Sequence, residues 1–164
     1  MLKDFDIEKM IEQYGDMVYR LALIHGNTKE NAEDIFQEVF LRLVRYRERL
    51  QSEEHVRNWL LRVTINCGRT YRRKWMTNQT LPLDETLAAG ENREQSEAEL
   101  RVYLAVKSLP EKYRTVIHLY YYEELSVAEI AACLKRREGT VKSQLARGRE
   151  LLRKKLNNDY IRLD

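Results

Sequence analysis

SVAEIAACLKRREGTVKSQLARGRELLR, residues Ser126–Arg153, has the pattern of two helices joined by a tight turn. Ser126 followed by Glu129 forms a capping box, in which each side chain satisfies a backbone N–H group at the start of a helix. The basic triplet at 135–137 separates this short helix from a longer one with one apolar and one polar face. Together these features predict a helix-turn-helix, which places its second helix in the major groove of DNA.

The polar face of the second helix carries small and cationic side chains. From the helical period, we predict that this outer face presents Arg136, Gly139, Thr140, Ser143 and Arg147. A flanking basic stripe consists of Lys142, Arg149 and Arg153. Small residues let a helix sit deep in the groove, arginine can pair with guanine edges, and lysine suits phosphates. The alternative at this point is a helical hairpin with a solvated basic face.

Two further helices are predicted upstream in the same half of the chain. One begins near Ser96, and the next restarts at Leu109-Pro110-Glu111, where proline suits the first helical turn. We predict a helical domain over residues 98–157, followed by a fraying tail at 158–164.

The amino-terminal half is predicted to form a three-helix bundle over residues 1–76. Its first amphipathic helix stops at Gly26-Asn27, and the second is capped by Asn27 or Thr28. Residues 46–55 lose the apolar periodicity and are expected to be a polar loop, after which a third helix begins. The predicted fold class is therefore all-α, with two small helical domains.

Charge is distributed in blocks, although the net charge is only +3. Residues 57–76 hold six basic and no acidic side chains, and residues 126–164 hold ten basic and five acidic ones. Between them, residues 77–97 contain Pro82, Gly90 and a mostly acidic run, which predicts a flexible acidic linker. Two basic blocks favour two phosphate-facing surfaces, although ordinary solvated helix faces would give the same pattern.

The basic end of the third helix is a second candidate DNA surface. Its arginines are Arg62, Arg69, Arg72 and Arg73, and the neighbouring aromatics are Trp59, Tyr71 and Trp75. Cationic and aromatic groups interleaved in this way suit separated DNA strands, whose exposed bases need stacking partners. Trp59 lies on the apolar stripe and is expected in the core, which leaves Trp75 as the better stacking candidate.

Several other classes of protein find no support in the sequence. There is no glycine-rich phosphate loop and no nucleophile beside a base in a known motif, so we expect no enzyme and no cofactor. Cys67 and Cys133 stand alone in apolar helical patterns, which predicts buried free thiols rather than a disulfide or a metal site. Without a signal core or a long apolar run, the expected location is the cytoplasm.

Both halves of the chain resemble the extracytoplasmic-function group of bacterial sigma factors. Ala32–Arg45, AEDIFQEVFLRLVR, resembles the second helix of sigma region two, and Glu53–Lys74, EEHVRNWLLRVTINCGRTYRRK, resembles the helix that reads the −10 promoter element. Leu109–Leu134 and Gly139–Leu156 resemble region four, which reads the −35 element. The two matches follow the family's order across the acidic linker.

The resemblance implies a role for each surface. The second helix would dock on the clamp helices of the largest subunit of RNA polymerase through Asp34, Gln37, Glu38, Arg42 and Arg45. The loop Tyr46–His55 would accept a flipped base, and the −10 region would be contacted by Asn66, Arg69, Thr70 and Arg73. Region four would hold the −35 duplex and touch the polymerase flap. An anti-sigma protein is the implied regulator.

One departure and two alternatives accompany the resemblance. The family's turn commonly contains glycine and an apolar residue, where this chain has Lys135 and Arg136. The first alternative is a stand-alone helix-turn-helix regulator with a helical dimerisation domain in front. The second is an adaptor that binds only proteins.

Overall fold

The computed structural model describes residues 5–26, 28–76 and 96–162, with the backbone alone described at 72–76 and 158–162. All regular structure within these ranges is helical, which confirms the all-α class. The α-helices are α1 (Ile7–Gly26), α2 (Lys29–Tyr46), α3 (Glu53–Met76), α4 (Glu97–Lys107), α5 (Glu111–Tyr121), α6 (Val127–Leu134) and α7 (Glu138–Arg162). The chain separates into two compact units, Met1–Asp84 and Glu85–Asp164. The linker predicted at 77–97 lies outside the described residues except for its last two.

The first unit is a bundle in which α1, α2 and α3 each pack on the other two. Its centre is fully buried and consists of aliphatic side chains from all three helices, among them Leu21, Ile35, Leu43, Leu60 and Ile65. Thr28 caps α2, because its side-chain oxygen accepts a hydrogen bond from the Asn31 N–H group at 3.2 Å. Close packing of α1 on α3 depends on Gly68, where a methyl group would overlap Cβ of His25.

The segment between α2 and α3 is more ordered than the polar loop predicted for it. Residues Arg47–Arg49 form a turn of 3-10 helix, Leu50 is fully buried, and α3 already begins at Glu53. Leu50 inserts a single apolar side chain into the bundle, and one buried residue in a segment of ten leaves no periodicity to detect. The segment is therefore anchored from within.

The second unit packs α4, α5 and α6 against α7 or one another. Its apolar core includes Val106, Leu109, Val116, Ile130, Val141 and Leu145. The predicted capping box is confirmed: the Ser126 Oγ accepts from the Glu129 N–H group, and Glu129 Oε1 accepts from the Ser126 N–H group, both at 3.1 Å. Helix α7 continues to Arg162, past residue 157, where the domain was predicted to end.

Four charged or titratable side chains lie inside the second unit, and the sequence patterns did not single them out. Lys107, Arg114, His118 and Glu123 are each 6% exposed or less. Arg114 donates to the Lys107 carbonyl oxygen at 3.2 Å, and His118 Nε2 lies 3.3 Å from Glu123 Oε1. Burial of such groups is tolerated where they form hydrogen bonds or ion pairs. The core of the second unit is therefore partly polar.

No helix in the described part of the chain is both long enough and apolar enough to cross a lipid bilayer.

Candidate nucleic-acid interface

The first turns of α7 have one face in the core and one in solvent. Val141, Leu145 and Gly148 are buried, whereas Gly139, Thr140, Lys142 and Ser143 are exposed. The inward side packs on α5 and α6. The outward face thus presents a glycine, two hydroxyl side chains and a lysine, a composition that suits a helix entering the major groove.

Arg136 lies in the turn before α7 rather than on its outer face. The side chain is half-buried, and its Nη1 donates to Gln144 Oε1 at 2.8 Å, which ties the turn to the second turn of α7. The turn itself is made by Lys135, which adopts the left-handed conformation with φ of 56°. The Arg136–Gln144 bond could not be predicted from the sequence pattern. A helical projection assumes regular helix geometry, and the left-handed conformation of Lys135 interrupts that geometry just before Arg136.

The two arginines in the middle of α7, Arg147 and Arg149, contact different neighbours. Arg147 is exposed and pairs with Glu150 at 3.0 Å, and this hydrogen bond holds the pKa of Glu150 below its ordinary value. Arg149 donates from Nε to the Tyr121 hydroxyl at 2.5 Å, and its guanidinium lies 5.5 and 5.6 Å from the ring centroids of Tyr120 and Tyr121. Arg149 is thus engaged with the end of α5, while Arg147 borders the outer face of α7.

An open concave surface adjoins the outer face of α7, and one of its walls was not predicted from the sequence. That wall is formed by Lys112 and Tyr113 in the first turn of α5, opposite Gly139, Thr140, Ser143, Gln144 and Arg147. Lys112 is exposed, and Tyr113 is half-buried. These two residues precede the helix-turn-helix motif in sequence, so their position beside it depends on how α5 packs on α7.

The carboxy-terminal part of α3 presents the polar groups predicted to contact the −10 region. Asn66 and Thr70 are exposed, and the Thr70 hydroxyl donates to the Asn66 carbonyl oxygen at 3.1 Å. Arg62 and Arg69 are half-exposed. The side chains of Arg73 and Trp75 lie outside the described residues.

Trp59 is partly buried, and its ring stacks on Tyr46 at the start of the segment 46–55. The two ring centroids lie 5.2 Å apart, with planes 17° from parallel. The guanidinium of Arg49 lies 5.5 Å from the centroid of the Tyr46 ring. Trp59 is half-buried rather than fully in the core, and the pair joins the segment 46–55 to α3.

The exposed side of α2 carries the five residues predicted to contact polymerase. Asp34, Gln37, Arg42 and Arg45 are exposed and Glu38 is half-exposed. Arg42 Nε bonds Glu38 Oε1 at 2.8 Å, an ion pair one turn apart. Leu41, which was not predicted from the sequence, is 53% exposed in the middle of this face. A single exposed leucine is ordinary on a protein surface, so Leu41 adds apolar area to this face without marking a contact by itself.

Cys67 and Cys133 are both buried thiols, as predicted. Burial raises the pKa of the Cys67 thiol, and the nearby Arg42 guanidinium offsets this in part. Among the residues that the structure describes, no group of three or more His, Cys, Asp or Glu side chains could hold a metal ion.

Comparisons with known proteins match both units. The family described as Sigma-70 region 2 matches residues 10–76, and the family described as Sigma-70, region 4 matches residues 99–152. The chain is 33% identical to the ECF RNA polymerase sigma factor SigW of Bacillus subtilis, covering 91% of this chain and 88% of that protein. It is 32% identical to SigM of the same organism, covering 90% and 93%.

A third relative is longer than this chain. The ECF RNA polymerase sigma factor SigE of Mycolicibacterium smegmatis is 34% identical over 89% of this chain but only 60% of its own length.

Solved structures show the same fold at lower sequence identity. The sigma factor RpoE, in complex with the anti-sigma factor NepR from Bartonella quintana, matches with a TM-score of 0.75 and 18% identity, covering 92% of this chain and 96% of RpoE. CnrH, in complex with the cytosolic domain of CnrY, matches with a TM-score of 0.71 and 22% identity, covering 93% and 88%.

Proposed function

Because this chain belongs to the extracytoplasmic-function group of sigma-70 factors, we propose that it binds core RNA polymerase and directs it to promoters with defined −35 and −10 elements. The family consists of transcription initiation factors. The observation that carries the proposal is the outward face of α7, with Gly139, Thr140 and Ser143 exposed on a helix whose other side is buried. A sigma region 2 match precedes it in the same chain.

The −35 element would be read by α7 in the major groove. Thr140 and Ser143 would face base edges, and Gly139 would allow close approach of the helix. Lys142 would bind backbone phosphate. The exposed pair of Arg147 with Glu150 is worth little in water, so the arginine can exchange its partner for a guanine edge or a phosphate at low cost.

Arg136 and Arg149 would contribute to the −35 site in a different way. Each already has a partner within the second unit, Gln144 for Arg136 and Tyr121 for Arg149. Such bonds restrict a long side chain before DNA arrives, which lowers the entropy lost when it makes a contact. We assign both to the edge of the interface.

The −10 element would be bound by the carboxy-terminal part of α3. Asn66, Thr70, Arg62 and Arg69 lie on its accessible side, and Arg73 and Trp75 follow in sequence as further candidates. A base flipped from the melting duplex would enter the segment Tyr46–His55. Flipping costs a few kcal/mol of stacking energy, so the polymerase complex must help to drive opening.

The exposed face of α2 would dock on the clamp helices of the polymerase's largest subunit. Charged side chains would set its orientation and rate of association, and Leu41 would add apolar contact area at its centre. The second unit would touch the polymerase flap. We place the protein in the cytoplasm, where its polymerase acts, and expect an anti-sigma protein as a further partner.

Run-off transcription with purified core polymerase on a promoter library tests the proposal. Specific transcripts are expected only when the chain is added, and the free chain should bind the same promoters weakly and with strong salt dependence. Equal retention on promoters with and without polymerase would instead identify a stand-alone regulator. The matches to both sigma regions in family order do not favour that alternative.

A further inference from the structure

Arg136 and Gln144 form a side-chain pair that links the turn of the helix-turn-helix to the second turn of α7. The Arg136 Nη1 group donates to Gln144 Oε1 at 2.8 Å, and both side chains are half-buried. We propose that Gln144 reads a base of the −35 element, and that Arg136 is the positioning residue that makes it select guanine over adenine. This inference rests on the proposed function of α7 and deepens it by naming a base preference.

The chemistry of the two side chains fixes the orientation of the Gln144 amide. Arginine carries only donors, whereas a glutamine amide has an acceptor oxygen at one end and a donor NH2 group at the other. The oxygen must therefore face Arg136, because a rotation of the amide by 180° would place donors against donors. A hydrogen bond from a charged donor is roughly twice as strong as a neutral one, so the amide is held in this orientation before DNA binds. An apolar side chain at position 136 could not impose it.

The backbone of Arg136 is itself fixed within the second unit. Its N–H group donates to the Ala131 carbonyl oxygen at 3.0 Å, which ties it to the end of α6. The preceding residue, Lys135, adopts the left-handed conformation that sets the direction of the turn. The guanidinium therefore reaches α7 from a defined point on α6, and it cannot follow Gln144 freely into another orientation.

The other end of the amide is available to DNA. Gln144 Nε2 makes no hydrogen bond within the part of the chain that the structure describes, and it is not an enclosed atom. Gln144 lies one turn after Thr140 and next to Ser143, and it borders the same open surface as these two residues. The group that Gln144 offers at this edge of α7 is therefore a pair of N–H donors.

Two donors match guanine and mismatch adenine. In the major groove guanine presents two acceptors, N7 and O6, whereas adenine presents the acceptor N7 beside its N6 amino donor. A glutamine that can turn freely pairs with adenine, because its oxygen accepts from N6 while its nitrogen donates to N7. With the oxygen held by Arg136 that pairing is lost, and the amino group of adenine would face the NH2 group of Gln144.

The test is the base preference of the full chain in complex with core polymerase, on promoters randomised across the −35 element. Bound promoters are sequenced, and the ratio of guanine to adenine is determined at every position. The position that Gln144 faces is the one whose ratio changes in Gln144→Ala. There the wild type should favour guanine about tenfold, as one well-placed pair of base contacts allows. Arg136→Met removes the donors but keeps the length of the side chain, and should lower that ratio about tenfold.

Further variants distinguish positioning from a purely structural role. Arg136→Lys retains a cationic donor and should keep guanine in excess. In Gln144→Glu the carboxylate still pairs with Arg136 but offers only acceptors, so adenine or cytosine, whose amino groups donate, should replace guanine. Adding Arg136→Met to Gln144→Ala should not change the ratio further, since the arginine acts through the amide. Arg137→Met, which removes an exposed arginine from the same turn, is the matched control and should keep the wild-type ratios.

The outcomes separate this inference from the proposed function. A wild-type complex that selects no −35 sequence overturns the proposed function and this inference with it. Selective binding in which Arg136→Met keeps the wild-type ratio at every position overturns this inference alone. So does a Gln144→Ala variant that binds more weakly without a change in any ratio, which would place Gln144 against the DNA backbone. A change of all positions alike in Arg136→Met would also overturn it, because that result indicates a distorted turn.

Discussion

Gly148 is a point of close contact between α5 and α7. A Cβ at this position would lie 2.9 Å from Cγ1 of Ile117, and Ile117 is only 1% exposed and has little room to move. Gly148→Ala should therefore destabilise the second unit by about 1–3 kcal/mol through overpacking, despite alanine's better helix propensity. Urea denaturation followed by circular dichroism measures the effect.

Gly139 provides the matched control for Gly148. No atom lies within 4 Å of a Cβ placed there, so Gly139→Ala should leave stability unchanged or raise it by up to about 1 kcal/mol. If both substitutions destabilise the protein equally, close packing at Gly148 is not the cause.

Lys135 occupies a position that glycine fills without strain. Its φ of 56° and ψ of 49° are left-handed, and this conformation costs a residue with a Cβ about 1–2 kcal/mol. Glycine avoids that cost but loses more backbone entropy on folding. We expect Lys135→Gly to stabilise the second unit by ~0.5–1 kcal/mol in the same urea assay. Lys135→Ala keeps the Cβ and should not stabilise it; equal gains from both variants would contradict the argument.

The candidate site could be predicted from sequence only where its residues share one helix. Exposure of Gly139, Thr140 and Ser143 follows from the apolar period of α7, which places them opposite Val141 and Leu145. The bond of Arg136 to Gln144 and the approach of Lys112 could not be predicted in this way, because they depend on a left-handed turn and on the packing of α5. Local sequence patterns specify which residues lie on one face of a helix, but not which residues of another helix pack next to that face.

At the scale of elements, the start of α6 depends on its capping box. Ser126→Ala removes the acceptor for the Glu129 N–H group and should cost about 1 kcal/mol. Glu129→Ala should cost less, and the double variant should cost less than the sum of the two, since the two side chains act as one unit. Urea denaturation of the wild type, the two single variants and the double variant measures the coupling between the two side chains. Ala132→Ser, on the exposed side of the same helix, should change stability by less than about 0.5 kcal/mol.

Most elements of the fold could be predicted from sequence because amphipathic periodicity and capping residues agree. Thr28, Ser96 and Ser126 each cap the helix that was predicted to begin beside them. The segment 46–55 could not, because its order comes from the burial of Leu50, the stacking of Tyr46 on Trp59 and short-range hydrogen bonds such as that from the His55 N–H group to Ser52 Oγ. None of these leaves a periodic pattern in the sequence. Nor could the polar cluster around Arg114 and His118 be predicted, since a charged residue within an apolar stripe is conventionally assigned to the surface.

At the scale of the whole molecule, each compact unit has its own apolar core and its own exposed surface that we propose to contact DNA. The sequence indicated this division through two basic blocks on either side of an acidic stretch. Separate surfaces make it possible to impair one step of initiation without the other, which a single DNA-binding domain would not allow.

Variants in the two units should therefore fail at different steps when assembled with core polymerase. Ser143→Glu places a negative charge on the outer face of α7 and should weaken promoter binding about tenfold or more, comparable to the loss of one base contact. Asn66→Ala combined with Arg69→Ala should reduce strand opening, measured as permanganate reactivity of thymines at the −10 element. It should leave closed-complex affinity within about threefold, since the proposed contacts of α3 are made to strands that have already separated. Glu8→Ala, exposed on α1, serves as the control for both assays. If the α3 variant and the α7 variant lower binding and opening in the same proportion, the two units do not divide the promoter between them, and the assignment of α3 to the −10 element is wrong.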